Sequence, residues 1–217
     1  MGITCEHCCG ADLFFDNKAA KKQMRTYLKK GSKGVTKKLI KAIQSKENKN
    51  KSLLDIGGGV GAVQWYFLQK PDTTTTDIDA SSSYLKLAQE YAQKNNWEKR
   101  AKFIQSDFID YANQLKIHDI VTMDKVVCCY PDYHKLLTLA LSKSKHTFAL
   151  SYPMGGYIAK FIAEIENFYL NLKKNPFRPY IHSPKAIREL ITSQGFVNVY
   201  RSTKFPWHIE VYERTKR

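Results

Sequence analysis

Residues 52–61 read Ser52-Leu53-Leu54-Asp55-Ile56-Gly57-Gly58-Gly59-Val60-Gly61, and the fold of the chain turns on this stretch. A short apolar run meets an acidic residue, then glycines at alternate positions, then the apolar spacing of a helix. Glycine permits a tight strand-to-helix turn and lets the backbone approach a ligand with no Cβ in the way. A nucleotide-like ligand is the natural guest. The dinucleotide fingerprint is G-x-G-x-x-G, whereas here the glycines fall at Gly57, Gly59 and Gly61, with Gly58 as an extra. Asp55 also sets a carboxylate where a pyrophosphate would have to lie. That suits a cationic ligand carrying an amino group. The alternative is a Gly-rich turn in an α/β domain that binds nothing.

The downstream sequence supports binding. Thr73-Thr74-Thr75-Thr76-Asp77-Ile78-Asp79 reads as a second strand ending in carboxylates, placed to accept from ribose hydroxyls. Asp79 is preferred to Asp77 for that role, because Ala80-Ser81-Ser82-Ser83 then caps a helix running through Leu85, Leu87, Ala88, Tyr91 and Ala92. A third strand, Ala101 to Gln105, ends Ser106-Asp107-Phe108. A fourth, Asp119 to Met123, ends at Asp124, and a fifth, His146 to Leu150, ends Ser151-Tyr152-Pro153. Helix-like sequence follows each strand, which predicts a parallel sheet with its ligand at the carboxyl edge. Asp55, Asp79, Asp107 and Asp124 all arrive at that edge.

Taken together, Asp55-x-Gly57-x-Gly59-x-Gly61, Asp79 and Ser106-Asp107-Phe108 resemble the successive motifs of class I S-adenosylmethionine-dependent methyltransferases. The resemblance covers roughly residues 51 to 153 and implies a Rossmann-like α/β fold. Its seven-stranded sheet is mostly parallel with an antiparallel C-terminal hairpin, helices cover both faces, and a helical leader precedes it. It also implies S-adenosyl-L-methionine as cofactor. The Asp55 to Gly61 loop would pack on its amino-acid end, Asp79 would hold its ribose, and Asp107 with Ser106 and Phe108 its adenine. Asp124 would close the same edge. Asp119-Ile120-Val121-Thr122-Met123-Asp124-Lys125-Val126-Val127-Cys128-Cys129-Tyr130-Pro131-Asp132, with the Cys-rich start and Phe14-Phe15-Asp16, is similar to a bacterial group of small, largely uncharacterised methyltransferases. More distantly the layout resembles magnesium-protoporphyrin O-methyltransferases, which share the Tyr-Pro and a closing segment, here His182 to Ile191. Those enzymes carry a histidine implicated in catalysis where this chain has Cys129, so porphyrin carboxyl methylation ranks second.

Length fits one methyltransferase domain, with a helical leader over 1–50, a cofactor core over 51–153, and a lid helix, closing helix and terminal strand pair over 154–217. The leader helices are Asn17 to Leu28 and Gly34 to Gln44, the second with Val35, Leu39, Ile40 and Ile43 on one face. Ile158, Phe161, Ile162, Ile165, Phe168 and Tyr169 make a wide apolar stripe after the fifth strand. Core packing or a lid is expected of it, and a membrane-surface helix is disfavoured by Glu164 and Glu166. Phe196 to Arg201 and Trp207 to Tyr212 read as the closing antiparallel pair. No apolar run reaches membrane-spanning length and no signal pattern opens the chain, so a cytoplasmic enzyme is expected.

The net charge of +15 sits in the flanks: 13 Lys/Arg against 4 Asp/Glu over residues 1–51, 12 against 13 over 52–172, and 10 against 3 over 173–217. A basic rim suits an anionic substrate or nucleic acid. Lys outnumbers Arg 28 to 7, however, whereas phosphate and base recognition favours Arg. The Asn/Asp-Pro-Pro-Tyr signature of base-amino methyltransferases is also missing after the fourth strand. A small-molecule acceptor, with O-methylation somewhat preferred, is therefore expected over RNA or DNA, and a non-catalytic cofactor-binding protein is the third possibility. Cys5-x-x-Cys8-Cys9 with His7 is half a zinc site without a second half, so no metal is expected. Candidate catalytic residues are Tyr130, His134 and Tyr27. Candidate acceptor-binding residues are Lys125, Cys129, Tyr152, Arg178 and His182. A carboxylate acceptor would need no base, only a positive clamp such as Lys125 or Arg178.

Overall fold

The computed structural model describes residues 6–45 and 52–215. Seven strands form one sheet: β1 (Ser52–Ile56), β2 (Thr74–Asp79), β3 (Ala101–Gln105), β4 (His118–Asp124), β5 (Ser144–Pro153), β6 (Phe196–Lys204) and β7 (Trp207–Arg214). Their spatial order is β3-β2-β1-β4-β5-β7-β6. The first five run parallel, and β7 pairs antiparallel with both β5 and β6. The strand order reverses beside β1, where β2 lies on one side and β4 on the other, and such a switch point opens a crevice at the carboxyl ends of the strands.

Strands buried on both faces read as continuous apolar runs, and β1 shows why. Leu53 packs with Ile120, Ala149, Val35 and Leu39 on one face, whereas Leu54 packs with Val121, Phe148, Leu136 and Ile191 on the other. The first core is covered by α3 (Gly34–Gln44) and α4 (Ala62–Leu68), the second by α7 (Tyr133–Ser142) and α9 (Pro184–Ser193). Caps fix where several helices begin. Asp16 accepts from Ala19 N at the start of α2 (Asn17–Lys30), Ser81 from Tyr84 N at α5 (Ser82–Lys94), and Asp132 from Lys135 N at α7. Ser183 does the same for α9, with Pro184 in the first turn.

Two helices depart from the sequence reading. A first helix, α1 (Glu6–Phe14), precedes the leader pair. It has no strong apolar stripe, and its Ala11 is buried instead by tertiary contact with Leu170 and Phe177. Helix α8 (Tyr157–Leu172) has the expected helical spacing but does not bury its stripe. Phe161, Ile162, Ile165, Phe168 and Tyr169 are all more than half exposed, and Ala163 and Leu170 on the opposite side seat the helix. A helical period fixes which residues share a face, and not which way that face points. The short helix α6 (Phe108–Tyr111) completes the set.

Candidate active site

Between β1 and α4 the chain turns through Gly57, Gly59 and Gly61, all in the left-handed region. Gly61 caps α4 at φ +80°, and a Cβ there would meet the Trp65 ring at 2.2 Å. The Trp65 indole donates to Val60 O at 2.7 Å and pins the turn from below. At Gly58 a Cβ would meet Asp77 Oδ1 at 2.7 Å and Asp55 Oδ2 at 2.9 Å. The turn is thus wrapped around carboxylates, and only glycine lets the backbone pass this close.

Three carboxylates lie beneath it. Asp77 is fully buried, accepting from Gln64 Nε2 at 2.6 Å and Gly58 N at 3.3 Å. Asp79 lines the cavity above, accepting from Gly59 N at 2.9 Å and Ser81 N at 2.8 Å. A carboxylate offers about four lone-pair sites, so Asp79 retains acceptor capacity toward the cavity. Asp55 accepts from Thr122 Oγ1 at 2.6 Å through Oδ1, whereas its buried Oδ2 has no hydrogen-bond partner. An orphaned carboxylate oxygen buried in a residue that lines a cavity is costly unless a donor fills it. Burial raises all three acids, and their mutual repulsion adds to the effect at Asp55 and Asp77. Asp55 is pushed up to about 7. A cationic amino group from a ligand would answer both the orphaned oxygen and the crowded charge.

The cavity encloses about 510 Å³ at the carboxyl edge of the sheet. Of the residues expected at the cofactor, Asp55, Gly57, Gly59, Asp79, Ser106 and Asp124 line it. Gly61 sits behind as the helix cap. Asp107 lies one layer back, capping α6 through Ile109 N at 2.8 Å and accepting the Tyr130 hydroxyl at 3.0 Å, while Phe108 belongs to the core. Asp124 is held by Ser151 Oγ at 2.5 Å and by the Thr36 hydroxyl.

Among residues expected at the acceptor, Lys125 and Cys129 line the cavity, and so does the candidate catalytic Tyr130. Lys125 adopts a left-handed φ of +66°, its amide held by Ser151 O at 3.1 Å and Ser151 Oγ at 3.0 Å. Its Nζ lies 3.4 Å from Thr36 Oγ1, 3.8 Å from Asp124 and 5.9 Å above the Trp207 ring. The hydrogen bond with Cys128, then burial, hold the Cys129 thiol well above its usual range, so it is a neutral wall of the pocket.

The remaining candidates lie away from the cavity. Tyr152 is fully buried, and its hydroxyl donates to Glu210 Oε2 at 3.1 Å. Arg178 spends its guanidinium on Asn175 O, Phe177 O and Asn171 Oδ1. His182 donates from Nε2 to Tyr130 O at 2.8 Å and borders a smaller crevice with Lys160, and burial lowers its pKa. His134 is exposed on α7 beside Tyr133. Tyr27 packs edge-on to Tyr91 at 5.9 Å, and burial pushes its hydroxyl up to about 12. Cys5 lies outside the described residues, as do the side chains of His7, Cys8 and Cys9. Among the described residues no cluster of His, Cys, Asp and Glu is placed to hold a metal.

Several lining residues were not singled out from sequence. Gln23, one helical turn before Tyr27, reaches the cavity and accepts from the Tyr84 hydroxyl at 2.8 Å. Thr36, Tyr84, Glu166 and Trp207 also contribute, as do Phe14, Phe15 and Phe177, of which Phe14 and Phe177 stack with ring centroids 4.9 Å apart while Phe15 meets both edge-on at 5.0 and 5.6 Å. The Phe14-Phe15 pair was the one available signal, since adjacent aromatics before a cap mark a segment with something to cover.

A sheet ordered 3-2-1-4-5-7-6, with a glycine turn and carboxylates at the ends of its parallel strands, defines a class I methyltransferase fold. A family model described as a methyltransferase domain matches residues 47–183, more than half of the chain, and the protein belongs to that family. No curated protein matches the chain in sequence. Solved structures match the fold. The magnesium protoporphyrin IX methyltransferase of Synechocystis PCC 6803 with bound SAH is 18% identical with a TM-score of 0.73, covering 96% of this chain and 100% of that one. Its form with bound SAM gives 17% and 0.71 over 99% and 100%. An O-methyltransferase family protein from Burkholderia thailandensis is 14% identical with a TM-score of 0.65, over 83% of this chain and 56% of that one.

Proposed function

We propose that the protein methylates a small-molecule acceptor, at oxygen in preference to other atoms, with S-adenosylmethionine as donor. The observation that carries the reading is the unpartnered Asp55 Oδ2 beneath a glycine turn, beside an Asp79 with acceptor capacity to spare. Asp55 would receive the donor's ammonium, Asp79 its ribose hydroxyls, and the Ser106–Phe108 turn with Tyr130 its adenine. When bound, that cofactor supplies an electrophilic methyl on a positively charged sulfur. The three buried carboxylates complement positive charge, and Phe14, Phe15 and Phe177 keep water from the reacting groups.

Among the described lining residues there is no histidine, and Lys125 is the sole cation. That combination supports an acceptor that arrives as an anion, oriented by Lys125, for which no general base is required. Carboxyl methylation of a magnesium-protoporphyrin-type acceptor is the second reading, and it draws on the same lysine and aromatic wall.

The test is transfer of tritiated methyl from labelled S-adenosylmethionine into a cell extract, fractionated into small molecules, RNA and protein. Counts are expected in the small-molecule fraction, in a base-labile product if the acceptor is a carboxylate. Counts mainly in RNA would sink the proposal.

The raised Asp55 adds a signed expectation. Between about pH 4 and about pH 7 the free protein carries a proton there that the unfolded chain, with an ordinary carboxyl, has lost. Stability of the free protein contributed by this group therefore falls as pH rises from about 4 to about 7. An ammonium ligand favours the ionised form, so binding S-adenosylhomocysteine at pH 6 should release protons, and affinity should weaken as pH drops below about 7. Calorimetry at pH 6 in two buffers of different ionisation enthalpy measures this directly. Buffer-independent heats would remove Asp55 as the ammonium partner.

A further inference from the structure

An ordinary surface helix buries its apolar face and wets its polar one. Helix α8 is seated by Ala163 and Leu170 and leaves its main apolar stripe in solvent. Tyr157, Phe161, Ile165, Phe168 and Leu172 recur four, four, three and four residues apart, a single helical stripe, and are 93, 63, 55, 67 and 67% exposed. Tyr169 and Ile162 widen the stripe on one side. Contiguous exposed apolar surface of this kind marks an interaction site.

The charges around it select the occupant. Lys160 lies on the helix, and Lys173, Lys174 and Arg178 follow its end, with Arg178 donating back to Asn171 of α8. Glu164 and Glu166 are the two acids of the helix, Glu166 also bordering the cavity, and they are outnumbered by these four cations. The chain as a whole carries +15. A second copy would bring an equal positive charge to the contact, whereas an anionic surface is attracted. Tyr157 and Tyr169, near opposite ends of the stripe, are rings with an apolar body and a polar tip, suited to headgroup depth. We propose that the exposed face of α8 docks on an anionic phospholipid bilayer, lying in the interface without crossing it. No helix among the described residues is long and apolar enough to span.

Flotation of the full chain with vesicles tests this. The protein should float with phosphatidylcholine vesicles containing phosphatidylglycerol, less so in high salt, and weakly with phosphatidylcholine alone. Phe161→Asp and Phe168→Asp should each lower the partition coefficient by roughly tenfold, with S-adenosylhomocysteine affinity unchanged. Lys173→Gln combined with Lys174→Gln, which leaves every residue of the apolar stripe in place, should weaken binding to the anionic vesicles alone. Failure of the wild type to float, or flotation unaffected by all of these changes, overturns the proposal. So does a dimer in sedimentation equilibrium that Phe161→Asp dissociates, since a second copy would then be the occupant. Cofactor affinity reports on the methyltransferase reading and flotation on the docking, so each can fail without the other.

Discussion

Replacing Asp79 by alanine is expected to weaken S-adenosylhomocysteine binding by about 1–3 kcal/mol, roughly five- to 150-fold. Two losses combine. The ribose hydroxyls, on the proposed binding mode, lose a charged acceptor, and Gly59 N and Ser81 N, now bonded at 2.9 and 2.8 Å, lose the group that fastens the glycine turn to the start of α5. Asp79→Asn separates them, because the amide oxygen preserves one of these bonds while the charge is gone. Its affinity should fall between wild type and Asp79→Ala in titration calorimetry. An affinity unchanged in the alanine variant would move the ribose elsewhere. Asp77 could not take over without rearrangement, since Gln64 and Gly58 already enclose it.

The largest effect on stability should come from Glu210→Ala. Glu210 is fully buried on β7 and gathers Arg188 of α9 at 2.9 Å, Arg201 of β6 at 2.8 Å, and the hydroxyls of Tyr152 and Tyr212 at 3.1 and 2.5 Å. Burial and the neighbouring carboxylate hold both phenols above their usual range, so they remain donors. Removing the carboxylate strands two buried hydroxyls and leaves two guanidiniums without a counter-charge. Both arginines are partly exposed, which lets water absorb some of that cost. A loss of about 2–4 kcal/mol is expected, visible as a melting temperature lower by roughly 6–12 °C. Glu210→Gln, which keeps the volume and one acceptor, should lose less. Equal melting temperatures for wild type and Glu210→Ala would mean the cluster contributes nothing net.

The strands and the cofactor turn were legible because local signals govern them. β4 ends at Asp124 as its apolar run does, and Gly57, Gly59 and Gly61 make the tight strand-to-helix turn expected of them by taking left-handed conformations. What was not legible depends on contacts far apart in the chain. The Tyr152–Glu210 pair joins two strands 58 residues apart, and no periodicity reports it. Arg178 looked available from sequence, but its guanidinium is used within its own loop. Tyr27 and Gln23 sit one turn apart on the same helix, and only the packing of Tyr27 against Tyr91 decides which of them faces the cavity. α1 carries no stripe to read because its burial is conferred by Phe177 and Leu170, and the stripe of α8, legible as a period, faces outward and not into the core.

The three tryptophans of the chain fall into two optical environments. Trp65 and Trp97 are stacked 5.7 Å apart under the glycine turn, with the Trp65 indole bonded to that turn through Val60. Trp207 lines the cavity beside Lys125. The molecule therefore carries its own reporters, Trp65 with Trp97 beneath the proposed donor half of the site and Trp207 beside the proposed acceptor half. With Trp207→Phe to isolate the first, filling of each half can be followed by emission, without a label and before any acceptor has been identified.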